Sequence, residues 1–437
     1  MGTATKAVAG ATVDELLSGK LPSAYRAAYV SREDVGMFEG VADKDVRRSL
    51  KVGDVPMPEL APDEVLVGVM ASAINYNTVW SAVFQPLPTF NFLAALGSHG
   101  GWDARHDLPQ HVLGSDAAGV VVAVGSAVRR HSVGDRVVVQ PGWIDGQDPI
   151  SQADGALAEH QRAWGYETNF GGLAHYAVVK AVQLLPKPKH LSWEEAACTS
   201  LCGMTAYRML VGPRGARMKQ GDIVLVWGAA GGLGGFAIQL VRNGGGTAVG
   251  VVNSERKAKL LERLGCDVIL RRDELGLEGL EGIELGKRVG KEIRRQLGED
   301  AHIAFEHVGR QTFGASVFLI RAGGSVVTCG SSSGYMHEYD NRHLWMKMKR
   351  IIGSHGANAH EAWELNRLID HGKIVPTLSK VYRLDDVGEA VREVQLNQHI
   401  GKVGVLCMAE EEGLGIEDPE RRAAIGEERF RLFRDLA

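Results

Sequence analysis

The run Gly228-Ala229-Ala230-Gly231-Gly232-Leu233-Gly234 follows an apolar stretch at 223–227 (IVLVW) and leads into FAIQLVR, which has a helical period. Strand, glycine turn and helix in that order make a dinucleotide cradle. The first glycine permits a tight turn, the middle ones let the backbone approach a pyrophosphate, and the last lets the helix pack on the strand. The first amides of the helix then face the phosphates. A second strand, TAVGVV, ends about 20 residues further on, where an NAD site places an Asp or Glu against the ribose hydroxyls. Asn253-Ser254 stands there instead, with Arg256 and Lys257 just beyond and Arg272 after the next strand. Neutral donors and cations suit a 2′-phosphate, so NADPH is the expected cofactor, with Ser254, Lys257 and Arg272 about its phosphate. A solvated surface charge is the competing reading of Arg272.

These residues need a framework. A chain of 437 residues exceeds one compact core and suits two domains. With 45% hydrophobic and 23% charged residues it has a globular composition, and a net charge of −4 creates no field for nucleic acid. No apolar run reaches membrane-spanning length, and no secretory core precedes residue 22. The five scattered cysteines suit a reducing compartment, so we expect a cytoplasmic protein without a membrane or nucleic-acid partner. Cys198 and Cys202 are expected to neighbour one another on a helix.

Residues 1–50 read as an extension with helical pieces, one near 14–17 and one near 31–35. From Val65 the pattern turns to short β runs: EVLVGVMASAI, AAGVVVAVGSAV, GDRVVVQPG and LAHYAVVKAVQLLP. Two long irregular stretches, 84–111 and 140–170, interrupt them and are candidates for functional loops or subunit contacts. A helical period at 192–210 opens an alternation of strands and helices, which predicts a doubly wound parallel sheet. After Pro376 short strands return (KVYRL, KVGVLCM), so the chain is expected to re-enter its first domain before a charged amphipathic tail. The expected division is 1–205, 206–373 and 374–437.

GSDAAG at 114–119, with the VVVAVG run behind it, resembles the medium-chain dehydrogenase/reductase superfamily. That resemblance implies an α/β protein: a GroES-like β-rich catalytic domain plus a Rossmann doubly wound parallel sheet. Where its zinc alcohol dehydrogenases carry a His-Glu pair whose His is a metal ligand, this chain has Ser115-Asp116, and no cluster has zinc-ligand spacing. A zinc-free enzyme is expected, and hydride transfer to a conjugated C=C suits it better than alcohol oxidation.

AINYNTVW (73–80), WGYETNFGG (164–172), KHLSWEEAA, FEHVGRQTFGAS (305–316), the stretch 333–358 with HEYDNR and GSHGAN, and GKIVPTLSKVY narrow the resemblance. Together they are similar to the crotonyl-CoA carboxylase/reductase family over nearly the whole chain. The resemblance implies addition of hydride from NADPH to the β-carbon of a 2-enoyl-CoA and capture of CO2 at the α-carbon, giving an alkylmalonyl-CoA, in a homotetramer. By motif position Asn77 and His355 would donate to CO2, while Tyr166 and Glu167 would supply a backbone contact and a carboxylate that fixes a water. Asn75 is the alternative to Asn77, and the sequence leaves the choice open. Arg342, Lys349 and Arg350 are candidates for the CoA phosphates. His343 stands where relatives often carry Tyr. Gly356 replaces the bulky aromatic that crotonyl-CoA enzymes carry after the GSH histidine, which implies room for a longer or bulkier acyl group. A plain enoyl-CoA or quinone reductase is the competing enzyme, and a non-enzymatic RNA-binding protein the competing class. Glu306-His307 fits a structural or a nicotinamide-orienting role, and Val308 is unexplained.

Overall fold

The strand Glu64–Ala73 is buried along its whole length, which is why EVLVGVMASA is apolar on both faces rather than alternating. In this computed structural model, which describes residues 21–437, that strand is the centre of a largely antiparallel sheet. Ala118–Val124, Tyr176–Lys180 and Lys402–Leu406 all pair with it, and Arg136–Val139 and Leu184–Pro186 extend the sheet beyond Ala118–Val124. The KVGVLCM segment supplies the strand Lys402–Leu406 to this sheet, with Gly404 opposite Ala73.

The N-terminal stretch differs from its expected helical character. Ala24–Ser31 pairs with Lys51–Pro56 and with Gln110–Val112 as a separate three-stranded sheet, because Tyr25, Ala27, Ala28 and Val30 all have a core to enter. Only Arg32–Asp34 forms a short helical turn near 31–35, and the segment at 14–17 lies outside the described residues. The stretch 84–111 contains the helix Phe90–Gly97 and a 3-10 segment, Gly101–His106, while 140–170 is mostly irregular. The helical period at 192–210 is two helices, Trp193–Ala197 and Leu201–Leu210. Ser192 and Glu195 form a reciprocal capping box at the first, and Cys198 ends it, so Cys198 and Cys202 do not share a helix.

The second unit is built on a six-stranded parallel sheet in the order Val268–Arg271, Thr247–Val252, Ile223–Val226, Ile303–Glu306, Ser325–Thr328, Arg350–Gly353. In sequence rank this is 3-2-1-4-5-6, a doubly wound Rossmann sheet whose direction reverses beside Ile223–Val226. By compactness the described residues divide into 21–201, 358–366 and 380–427 in one unit, and 202–357, 367–379 and 428–437 in the other. Two separate later segments, 358–366 and 380–427, thus group with the first unit. The expected charged tail is partly core: Phe430 and Phe433 are buried, and Phe433 packs where a side chain on Gly235 would collide with it.

Candidate active site

In the parallel sheet, the glycine run sits at the end of Ile223–Val226, where strand order reverses and ligand crevices form. Gly228 has φ +57°, a left-handed conformation that only glycine adopts cheaply, and a Cβ there would meet the His307 ring. A Cβ on Gly234 would overlap the Gly228 carbonyl, so this glycine lets the helix Gly232–Asn243 start against the turn. Gly231 caps that helix without a side chain, and the first intrahelical bond is Gly235 N–H to Gly231 O at 2.8 Å. The amides of Gly232, Leu233 and Gly234 have no acceptor among the described residues, the condition for holding a pyrophosphate.

At the ends of the neighbouring strands, Ser254 caps the helix Glu255–Arg263 by accepting from Lys257 N–H. Arg272 N–H donates to Val252 O at 2.8 Å, which places that residue beside Asn253-Ser254. Lys257 and Arg272 have no carboxylate partner among the described residues; the Arg272 guanidinium makes only a long contact to Leu277 O. Burial, and then Arg256, lowers the Lys257 pKa. Glu255, two residues before Lys257 in sequence, is exposed and tied to Lys259 at 2.8 Å. Half-buried cations with no counter-charge fit a 2′-phosphate.

Glu306 and His307, next door, are occupied structurally. The Glu306 carboxylate is fully buried and accepts from the amides of Val308 and Gly309 and from the hydroxyls of Thr312 and Ser316, at 2.8–3.0 Å. Burial lowers the His307 pKa to about 4, so its neutral ring donates through Nε2 to Trp227 O at 2.9 Å, tying the two strand ends together.

In the first unit the turn at 114–116 organises the rest. A Cβ on Gly165 would overlap the Gly114 carbonyl, and one on Gly172 would overlap that of Asp116, so the glycines of WGYETNFGG bring this segment onto the turn. Ser115 Oγ donates to Trp164 O at 2.6 Å and accepts from Asn77 Nδ2 at 2.8 Å. Asn77 is thereby linked to the segment carrying Tyr166 and Glu167, and the Tyr166 ring lies 6.5 Å from that of Trp80, one turn along the Asn77 helix. Asn77 Oδ1 is buried and has no donor among the described residues. Glu167 spends Oε2 on the Ala163 amide at 2.7 Å.

Asn75 is placed quite differently. Its Oδ1 accepts from Lys402 Nζ at 2.6 Å and its Nδ2 donates to Asp116 Oδ2 at 2.8 Å, where Lys402 also donates at 2.8 Å. Asp116 is 0% and Lys402 3% exposed, so this is a fully buried ion pair, completed by Leu201 N–H on Asp116 Oδ1. Among the described residues no group of three or more His, Cys, Asp or Glu could hold a metal ion. Sequence reasoning missed Lys402. The signal available was a lysine opening a strand whose every residue is buried.

His355 and Gly356 lie in the second unit, just past the edge strand Arg350–Gly353. His355 is exposed. Gly356 has φ +52°, and a Cβ built there meets nothing within 4 Å, so the site has room but also a backbone that favours glycine. The three CoA candidates divide. Lys349 does not fit a phosphate role: its Nζ donates to Val317 O and Phe318 O at 2.8 and 2.9 Å, closing the end of the helix Arg310–Leu319, and burial lowers its pKa to about 8. Arg342 is exposed but paired with Asp340 at 2.6 Å, and Arg350 is exposed without an ion pair among the described residues.

Residues 61–189 match the alcohol dehydrogenase GroES-like domain family, and 232–371 the zinc-binding dehydrogenase family. A crotonyl-CoA reductase of Streptomyces avermitilis is 52% identical, over 94% of this chain and 95% of that protein. A crotonyl-CoA carboxylase/reductase of Cereibacter sphaeroides is 37% identical over 84% of this chain and 86% of its own length. The solved 2-octenoyl-CoA carboxylase reductase CinF from a Streptomyces species, in complex with NADP and 2-octenoyl-CoA, is 55% identical, with a TM-score of 0.98 over 100% of this chain and 99% of that one.

Proposed function

We propose, from the premise that this chain belongs to the crotonyl-CoA carboxylase/reductase family of medium-chain dehydrogenase/reductases, that it carboxylates a 2-enoyl-CoA reductively with NADPH and CO2. Bound at the glycine turn, NADPH supplies the hydride that reduces the β-carbon. The electron pair displaced from the C=C leaves an enolate whose α-carbon forms a bond to CO2, yielding an alkylmalonyl-CoA. The chain's own task is to hold CO2 over that carbon and to keep a proton from taking its place.

The observation that carries this reading is Asn77. Its carboxamide is anchored by one N–H on Ser115, which leaves a second N–H to donate and a buried oxygen without a partner among the described residues. We assign Asn77 rather than Asn75 to CO2, because Asn75 is committed to the buried ion pair. Tyr166, Glu167 and His355 keep the roles their motifs imply. Ser254, Lys257 and Arg272 take the cofactor's 2′-phosphate, and Arg342 and Arg350 remain candidates for CoA.

NADPH oxidation with and without bicarbonate plus carbonic anhydrase, with products identified by mass, tests the reading. The expected product is an alkylmalonyl-CoA whose formation depends on CO2. Saturated acyl-CoA alone, at a rate indifferent to CO2, would reduce the protein to a simple reductase.

The acyl group is longer or bulkier than crotonyl, on the open space at Gly356 and the similarity to an octenoyl-CoA enzyme. Gly356→Phe is expected to lower kcat/KM for 2-octenoyl-CoA relative to crotonyl-CoA about tenfold or more, as lost pocket volume does. An unchanged ratio would show that Gly356 serves its backbone conformation alone.

The protein is further assigned to the cytoplasm as a homotetramer. No described helix is long and apolar enough to cross a membrane, and all five cysteines are free thiols. Among the described residues the edge strand Arg350–Gly353 leaves one side unpaired beside exposed Trp345, Met346 and Met348, and the two long inserts expose Trp102, Ile150 and Leu157. Both features suit contact with further copies of the chain.

A further inference from the structure

The geometry points to Ser115 as the residue that sets the orientation of the Asn77 carboxamide, and so as a positioning residue for CO2. This inference rests on the reductive-carboxylase reading given above.

A carboxamide presents an oxygen and an NH2 group of nearly equal shape, and nothing in its own structure decides which way it faces. Here the neighbour decides. The Ser115 hydroxyl has one hydrogen. It lies 2.6 Å from the carbonyl oxygen of Trp164, which can only accept, so the hydrogen is spent there. Towards Asn77 the hydroxyl can then only accept, and the amide must turn Nδ2 to it, at 2.8 Å. The outward face of the amide, a second N–H and the unpartnered Oδ1, follows from that one bond. Ser115 is fully buried, and its chain neighbour Asp116 is pinned by Lys402 and by Ser72 Oγ, which donates to Asp116 O at 2.7 Å. The hydroxyl cannot easily drift from its position. Without it, the amide loses the acceptor that fixes its facing, and the N–H aimed at CO2 exchanges with an oxygen that would repel it.

Such a role acts on the fate of the enolate and not on its formation. The readout is therefore the ratio of carboxylated to reduced product at limiting CO2, alongside NADPH oxidation without CO2. Ser115→Ala is expected to lower the ratio about five- to tenfold, the worth of one oriented hydrogen bond. Oxidation without CO2 should stay within about twofold of wild type, since no hydride-transfer contact is touched. Ser115→Thr, which keeps the hydroxyl, should restore most of the ratio. The double variant Ser115→Ala/Asn77→Ala should match Asn77→Ala alone, because Ser115 acts through Asn77.

A wild-type ratio in Ser115→Ala, with Asn77→Ala impaired, would overturn the inference and leave the carboxylase reading standing. A double variant clearly worse than Asn77→Ala would do the same. A wild-type enzyme that makes no carboxylated product removes both. Should Ser115→Ala not fold, Ser115→Cys, similar in size but a weak donor and acceptor, is expected to show the same loss, and a wild-type ratio there would equally sink the idea.

Discussion

Lys402→Met is expected to destabilise the first unit by about 3–5 kcal/mol, the usual cost of stranding a buried charge. The ammonium bonds Asp116, Asn75 and the Ile74 carbonyl at 2.6–2.8 Å, all away from water. Removing it leaves a carboxylate at 0% exposure with, among the described residues, only the Asn75 amide and Leu201 N–H to hold it. In a unit of this size the loss corresponds to roughly 10 °C in the thermal transition, measurable by calorimetry. Lys402→Met/Asp116→Leu should recover most of it, because replacing both partners removes the stranded charge as well as the attraction. A single variant that melts within a degree of wild type would show that the pair is not the keystone its burial implies. The change should also reach the chemistry: Asn75 begins the turn into the Asn77 helix, and Asp116 follows Ser115 directly.

This cluster shows where sequence reasoning stops. Local grammar revealed the glycine cradle, because strand, turn and helix are contiguous and each glycine has a separate steric duty there. It revealed the parallel sheet for the same reason, since each strand and helix carries its own period. Ser115-Asp116 was legible only as a substitution for a metal-binding pair, which says what the site lacks. What the two residues do instead depends on partners at Asn77, Trp164 and Lys402, the last 286 positions from Asp116. No periodicity encodes a contact of that kind. The N-terminal sheet escaped for a related reason. AYRAAYVS buries alternate and adjacent residues irregularly, and only pairing with Lys51–Pro56 and Gln110–Val112 gives it a strand's environment. Lys349 was read as a phosphate ligand because a basic residue in a specific motif looks like one, whereas its ammonium is held inward by the carbonyls of Val317 and Phe318.

Lys257→Ala/Arg272→Ala is expected to lower kcat/KM with NADPH about 100-fold while changing it less than about threefold with NADH. Each cation contributes roughly 1.4 kcal/mol, a tenfold factor, towards the low end for charge-assisted hydrogen bonds because both positions are only half-buried. The discrimination follows from what is already present before the phosphate arrives. Burial and Arg256 hold the Lys257 pKa below its ordinary value, so the ammonium gains from any counter-charge, and Glu255 does not provide one because it is turned to Lys259. NADH brings no charge to that place and should not sense the change. The phosphate is doubly ionised only above about pH 6, so the wild-type preference for NADPH should weaken as pH falls through that value, and the double variant should lack this dependence. If NADPH and NADH lose activity in parallel, Lys257 supports its helix and Arg272 the end of its strand rather than the cofactor. The selectivity would then rest on the Ser254 hydroxyl and the exposed Asn253, the remaining polar groups at the end of that strand.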